Sequence, residues 1–124
     1  MMASKARLFG DDGVLNEIME APTPFEYKNL GRKIRGFVAN VWDAHKNDIV
    51  EKGNKAKFSQ NPAKKEFLLS TGDSIIGEAS PYDTIWGIGL GREDAQKGGV
   101  EQWKGENLLS CALMDMRDWL KECL

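Results

Sequence analysis

Asp83 and Trp86 lie three residues apart in a turn-rich segment, residues 78–91, in which glycines alternate with Ile88 and Leu90. This spacing would offer a ligand both a carboxylate and a flat ring. Alternating glycines make a poor helix and a poor ordinary strand, so they are typical of backbone that lies close to a ligand or to a neighbouring helix. The structural alternative is a buried Trp86 with Asp83 capping a turn.

Two lysines are candidates for amine chemistry. Lys57 lies in a run of cationic, aromatic and hydrogen-bonding residues, 56–62, at a predicted corner between two helices. Lys5 lies on the first predicted helix. For both residues the structural alternative is a solvated surface lysine, which is the usual environment of this side chain.

A basic cluster, Arg32, Lys33 and Arg35, follows the predicted end of a helix. Guanidinium groups fit phosphate oxygens, so the cluster is a candidate phosphate or diphosphate site. Basic residues near a helix C-terminus are also expected from the helix dipole alone. The net charge of −2 is too balanced to imply affinity for nucleic acid or a membrane by itself.

The chain has 124 residues, one domain's worth, and no apolar run long enough to span a membrane. Cys111 and Cys123 are separated by roughly 18 Å along one predicted helix, which excludes a disulfide between them. Without a signal peptide, this predicts a reduced, cytoplasmic protein. His45 is the only histidine, and with two separated cysteines it disfavours a structural zinc site. No metal or cofactor is predicted.

Helix signals dominate the chain. Thr23 is predicted to cap a helix starting at Pro24, with Glu26 completing a capping box, and Asn61-Pro62 starts another helix in the same way. The predicted helices cover residues 1–9, 12–20, 24–31, 41–58, 62–71 and 107–123, with a short strand or extended segment at 74–79 and a loop at 89–105. The expected fold is mainly α, a single-domain irregular helical bundle with little or no sheet.

Apolar spacing of three to four residues predicts the buried faces of three helices. These faces are Val14, Leu15, Ile18 and Met19; then Trp42, His45, Ile49, Gly53 and Ala56; and finally Leu109, Ala112, Leu113, Met116, Trp119, Leu120 and Cys123. Asn40 is predicted to cap the second of these helices. Gly53 on its face predicts close approach to a neighbouring element.

The candidate residues occur in an ordered series that resembles the NADAR superfamily, also called YbiA-like. The series covers essentially the whole chain. Its runs are 1–6, 30–32 with Arg35, Trp42, 56–61, 68–72, 78–83, 86–90, 107–109 and 112–114. So long a series in this order is more specific than a single glycine motif.

The resemblance implies a mainly α-helical N-glycosidase that hydrolyses the C1–N bond between a ribose phosphate and a base-like amine, without a metal. Family members cleave riboflavin-pathway intermediates such as 5-amino-6-ribosylamino-uracil phosphate, whereas others remove ADP-ribose from guanine in nucleic acid. A binding module for ADP-ribose or NAD-like ligands is a further alternative. Positive charge develops on the anomeric carbon as nitrogen leaves, so a carboxylate would stabilise it, or a lysine would attack C1 and form a Schiff base.

Carried over by position, the resemblance implies that Asp83 is the carboxylate near the sugar. Lys5 or Lys57 would be the reacting amine, with Lys5 preferred. Trp42 and Trp86 would shape the pocket and stack on the ligand.

Arg32 and Arg35 would bind the phosphate, and Asn61 and Glu78 would support the pocket. In the family, a further segment bearing an active-site glutamate precedes the position of Met1. The printed sequence does not contain it, which predicts a NADAR domain over residues 1–124 that is truncated at its N-terminus.

Overall fold

The computed structural model describes residues 1–123, and most of them are helical. That span contains seven α-helices, one short 3₁₀ helix and no β-strand. The α-helices are α1 (Met2–Leu8), α2 (Asp12–Glu20), α3 (Pro24–Gly31), α4 (Ala39–Gln60), α5 (Pro62–Ser70), α6 (Arg92–Gln96) and α7 (Leu108–Glu122), and the 3₁₀ helix is Val100–Gln102. The mainly α prediction is therefore confirmed.

Contacts divide the chain into two compact units, Met1–Val50 and Glu51–Leu124. Both units contain part of α4. The assignment of residues 1–124 to one domain stays a prediction. In the part of the chain that is described, no helix combines the length and apolar character needed to cross a membrane.

Local capping sets the ends of α2 and α3. The Asp11 carboxylate accepts a hydrogen bond from the Val14 backbone N–H at 3.1 Å, which satisfies a free donor at the start of α2. Thr23 caps α3 by accepting from the Glu26 N–H. The predicted cap is confirmed, although the Glu26 carboxylate accepts from the Thr23 hydroxyl at 2.8 Å and does not reach back to the backbone.

The core of the first unit is formed by buried side chains from α1, α2 and the segment after α3. They are Ala6, Val14, Ile18 and Ile34. Gly31 allows α1 and α3 to approach, because a Cβ there would collide with the Met2 side chain. The predicted face of α2 is confirmed for Val14 and Ile18 but wrong for Met19, which is 65% exposed.

Helix α4 begins earlier than predicted, and Asn40 lies inside it instead of capping it. Its buried residues are Trp42, Val50 and Phe58, whereas the predicted face members His45, Gly53 and Ala56 are exposed. Among residues 1–123, apart from the adjacent residues and the helix's own backbone, no atom lies within 4 Å of a Cβ built on Gly53, so its predicted close contact is wrong. The two ends of α4 belong to different units and bury different residues. A single helical face therefore does not describe all the buried positions of this helix.

The core of the second unit packs α7 against α5 and the end of α4. Its buried side chains are Phe58, Leu68, Met116 and Leu120. On α7 the predicted stripe is wrong for Trp119 and Cys123, which are exposed, and the polar residues Ser110 and Arg117 are buried instead. The buried Arg117 guanidinium donates from Nη1 to the Thr71 hydroxyl and to the Ser74 carbonyl, and these bonds offset part of the cost of its burial and link α7 to the turn after α5.

Two smaller predictions also changed. The predicted loop at 89–105 contains α6 and the 3₁₀ helix, whereas residues 74–79 carry no strand, which leaves the extended alternative of that prediction. Asn61 precedes α5 as predicted, but its side chain donates to the Lys57 carbonyl at 2.6 Å and does not cap α5. Cys111 and Cys123 are free of each other, as expected, and both are exposed.

Candidate functional site

Lys5 lies beneath aromatic rings in the first unit. Its ammonium nitrogen is 4.7 Å from the centre of the Phe37 ring and 5.3 Å from that of Trp42, and it donates to the Gly31 carbonyl at 3.2 Å. Burial lowers the pKa of Lys5 from its ordinary value, because rings replace part of the water that would solvate the charge. Lys5 and Trp42, two of the predicted site residues, are therefore brought together.

Phe37, which sequence reasoning missed, is held in place by its surroundings. Its ring packs edge-on against Phe9, with ring centres 5.3 Å apart and planes inclined by 61°. Gly36 precedes it with a φ of +76°, a left-handed conformation that favours glycine. The Arg35 backbone N–H donates to the Asp11 carboxylate at 2.8 Å, which ties this loop to the start of α2.

Asp11 is a buried carboxylate that sequence reasoning also missed. The backbone N–H groups of Arg35 and Val14 donate to it and hold its pKa below the usual range. The signal in the sequence was present, since an aspartate directly before a predicted helix is a preferred cap. Its second role, anchoring a loop 24 residues away, depends on tertiary structure.

The predicted phosphate-binding residues lie near the surface after α3. Arg32 is exposed at the end of α3, and the Arg35 side chain is 85% exposed. Arg35 helps to line a cleft of about 360 Å³ together with Asp11 and Asp12. Its Nε lies 3.6 Å from the Asp11 carboxylate, so a phosphate there would meet acidic groups as well as the guanidinium.

Asp83 caps a turn in the second unit, as the structural alternative proposed. One of its oxygens, Oδ1, accepts from the backbone N–H groups of Ile85 at 3.0 Å and Trp86 at 2.8 Å. Within residues 1–123, the structure gives the other oxygen, Oδ2, no hydrogen bond. Trp86 is half-buried, and its ring therefore retains some exposure. The two residues are brought together by this turn.

The alternating glycines bring two backbone segments together. The N–H groups of Lys104 and Gly105 both donate to the Ile88 carbonyl at 2.8 Å. A Cβ on Gly105 would collide with the Gly87 carbonyl, and a Cβ on Gly87 would lie 2.8 Å from the Asp83 carbonyl. The run therefore packs against the segment that leads into α7, which accounts for Gly87 and Gly89 without a ligand, whereas a Cβ on Gly91 would meet no described atom within 4 Å apart from its chain neighbours.

Asn107 joins this loop to the preceding extended segment, and its importance was missed. It is buried with a φ of +55° at the start of α7, a conformation that asparagine tolerates better than most residues. Its side chain accepts from the Glu78 N–H at 3.0 Å and donates to the Ile76 carbonyl at 2.9 Å. Glu78 is thereby fixed through its backbone while its side chain stays exposed.

Lys57 has a different environment from Lys5. It is exposed near the end of α4, and its only recorded ring contact among residues 1–123 is with its neighbour Phe58 at 5.4 Å. Asn61 hydrogen-bonds to the Lys57 backbone. In the described residues, neither side chain bonds to Asp83 or Trp86. Within the same span, no group of three or more His, Cys, Asp or Glu residues is placed to hold a metal ion.

The chain is mainly α-helical, and its first unit holds a lysine that is half-buried under aromatic rings. The sequence profile of the NADAR domain matches residues 1–121, and the chain belongs to the NADAR domain family.

Three relatives illustrate the similarity. An N-glycosidase of Acanthamoeba polyphaga mimivirus is 49% identical over 95% of this chain and 69% of its own length. The riboflavin biosynthesis protein PYRR of Zea mays is 34% identical over 84% of this chain and 16% of its own length. The N-glycosidase YbiA of Escherichia coli is 27% identical over 94% of this chain and 66% of its own length. The chain thus spans only part of each relative.

Proposed function

We propose that this chain is an N-glycosidase, a hydrolase of N-glycosyl compounds. The observation that carries the proposal is the 49% identity, over 95% of the chain, to a viral protein named as an N-glycosidase. As substrate we propose a ribose 5-phosphate joined through C1 to an amine or pyrimidine, as in riboflavin-pathway intermediates. The name of the maize relative supports this substrate class.

The environment of Lys5 supports its role as the reacting amine. Only a neutral amine can attack carbon, and burial of Lys5 favours the neutral form. When the sugar ring opens, C1 and the substrate nitrogen form an iminium. The Lys5 nitrogen adds to C1, the substrate amine leaves with a proton, and a Lys5 iminium remains. Water then adds to C1, and ribose 5-phosphate and free Lys5 are released.

Asp83 is proposed as the carboxylate that stabilises positive charge at C1. The turn fixes its position through Oδ1, so the group would not have to reorganise as charge develops. We further propose that Trp42 and Trp86 contact the substrate. By position in the family, the other binding residues are Arg32, Arg35, Asn61 and Glu78, with Lys57 as the second candidate amine.

The decisive test is incubation with 5-amino-6-ribosylamino-uracil phosphate. We expect release of ribose 5-phosphate, and borohydride added during turnover should trap a sugar adduct on the peptide that contains Lys5. Adduct on the peptide containing Lys57 would transfer the role to that residue. Binding of ADP-ribose without turnover of any N-riboside would show a ligand-binding module instead of an enzyme. Selective release of ADP-ribose from modified guanine in nucleic acid would show that the substrate is ADP-ribosylated nucleic acid instead of a ribose 5-phosphate compound.

Asp83→Asn tests the carboxylate separately from the turn. Asparagine retains an Oδ1 that can accept both backbone hydrogen bonds. The free energy of unfolding should therefore change little, while turnover falls. Unchanged turnover would remove Asp83 from the mechanism. We also propose a cytoplasmic location, since two free, exposed cysteines fit a reducing compartment.

A further inference from the structure

Phe37 is the least buried ring of the group around Lys5. It is 46% exposed, whereas Trp42 is 8% exposed. Its ring centre is also the nearer of the two to the Lys5 nitrogen, at 4.7 Å compared with 5.3 Å. An aromatic ring that keeps half its surface in water while it covers an amine stands between that amine and the solvent.

We propose that Phe37 is a positioning residue that covers the Lys5 amine and sets its reactivity by excluding water. This inference rests on the proposed function, in which Lys5 reacts with the substrate. Phe37 itself is assigned no contact with the sugar.

The loop that carries Phe37 is restrained at three points. Asp11 holds the Arg35 backbone at 2.8 Å, Gly36 supplies the left-handed turn, and Phe9 supports the ring from the side. Each restraint lies in the first unit and involves a residue next to Phe37 in the chain or in contact with it. The position of the ring over Lys5 is therefore a consequence of the fold and does not need a ligand.

The charged residues around Lys5 do not control the reactivity of its amine as the cover of Phe37 does. The charged groups on the surrounding elements include Arg7 on α1, Asp11, Asp12, Glu17 and Glu20 in or before α2, Glu26 and Lys28 on α3, Arg32, Lys33 and Arg35 after it, and Asp43, His45, Lys46 and Asp48 on α4. Among the described residues, three of these carboxylates have partners other than Lys5: Asp43 pairs with Lys46, Asp11 with Arg35, and Glu26 with Thr23. No ion pair to Lys5 is present in residues 1–123, and burial is the cause that lowers its pKa.

The aromatic ring of Phe37 and the burial of Lys5 have opposite effects on the pKa of the Lys5 amine, which makes the proposal testable. The face of an aromatic ring attracts an ammonium and favours the protonated form, whereas loss of water favours the neutral form. If exclusion of water dominates, truncation of the ring should raise the pKa of Lys5. If attraction to the ring dominates, truncation should lower it.

The experiment is competitive labelling of the native protein with trace acetic anhydride across a pH series, with each lysine quantified by peptide mass spectrometry. Phe37→Ala should move the labelling midpoint of Lys5 upward by about half a pH unit or more. Phe37→Leu keeps an apolar cover without an aromatic face, and its midpoint should stay at or below that of the wild type. Phe25→Ala, which removes a 73% exposed ring from the same unit, is the matched control and should change nothing.

An unchanged or lowered Lys5 midpoint in Phe37→Ala would overturn the proposal, as would an upward shift of equal size in Phe37→Leu. Lys57, labelled in the same samples, provides an exposed internal reference. The labelling needs no substrate, so its result stands even if the wild type hydrolyses no N-riboside. If turnover is observed, the acid limb of its pH profile should move with the Lys5 midpoint in Phe37→Ala.

Discussion

The surroundings of Lys5 and the glycine-rich loop of Asp83 hold their candidate groups in different ways. Lys5 is surrounded mainly by side chains, with the rings of Phe37 and Trp42 near its nitrogen, and makes one hydrogen bond to the backbone, at the Gly31 carbonyl. The loop is held by backbone hydrogen bonds, and one oxygen of Asp83 is itself part of that scaffold. The conspicuous motif is thus largely architectural, whereas an ordinary lysine on a short helix has the more unusual environment.

This difference predicts where each region tolerates change. Around Lys5, altered side chains should change the chemistry of the amine more than the fold. In the loop, a single added methyl group or a lost side-chain hydrogen bond should change stability, because backbone segments are in direct contact there.

The largest effect is expected for Lys5→Arg. Arginine keeps a cation that can bond to the Gly31 carbonyl and lie against the rings, but it stays charged and cannot attack C1. We expect turnover to fall by about 100- to 10,000-fold, the range for loss of a group that acts in the chemical step. Lys57→Arg is the matched control and should stay within a few-fold of wild type. The reverse pattern would assign the reaction to Lys57.

The next effect is on stability, at Asn107 in the loop region. Asn107→Ala leaves the Glu78 N–H and the Ile76 carbonyl without their partner and places a Cβ in a left-handed conformation. Urea unfolding should show a loss of about 2–4 kcal/mol. Asn107→Gly removes the same hydrogen bonds without the conformational cost, so it should lose about 1 kcal/mol less. Equal losses would mean that the positive φ carries no strain.

A pair of glycine substitutions should have opposite signs. Gly105→Ala places a Cβ against the Gly87 carbonyl, so the loop must shift, at a cost of about 1–3 kcal/mol. Gly53→Ala adds a methyl group to open space on an exposed turn of α4 and should stabilise by roughly 0.5–1 kcal/mol. Thermal or urea unfolding of both variants measures the contrast. A stabilised Gly105→Ala would show that the two backbone segments are not tightly apposed.

The sequence predicted what depends on near neighbours in the chain. Helices α2 and α3 have their predicted bounds, and their starts are set within one turn, by the Asp11 cap in α2 and by Thr23 with Pro24 in α3. The buried positions of α4 were not predictable from one helical period, since its two ends belong to different units.

Within the site, the same limit applies. The turn made by Asp83 and Trp86 is local and was anticipated as an alternative. The cover of Phe37 over Lys5 joins positions 32 residues apart, and the clamp from Asn107 to Glu78 joins positions 29 apart. Neither contact leaves a periodic pattern in the sequence. The family resemblance supplied candidate residues, but only tertiary structure showed which of them the fold holds.

The smallest effect concerns pH, and it compares Asp11 in the first unit with Asp73 in the second unit. Both carboxyl groups have a pKa below the ordinary 3.8, Asp11 through hydrogen bonds from the Arg35 and Val14 backbone and Asp73 through its hydrogen bond from Lys121. A lowered folded-state pKa means that the unfolded chain binds the proton more readily. Each carboxylate therefore contributes its full stabilisation of the folded protein above pH 3.8. This contribution to the free energy of unfolding disappears as pH falls through the folded-state pKa.

The two carboxylates differ in exposure, 3% for the Asp11 side chain and 99% for that of Asp73, so water and salt should screen the Asp73 pair far more. Urea unfolding at about pH 5 and about pH 3 measures how much stability is lost on acidification. This loss should be smaller in Asp11→Asn than in the wild type. Asp73→Asn should follow the wild type closely. If Asp73→Asn flattened the profile and Asp11→Asn did not, the exposed pair would be the stronger one, and Asp11 would not be the anchor that keeps Phe37 over Lys5.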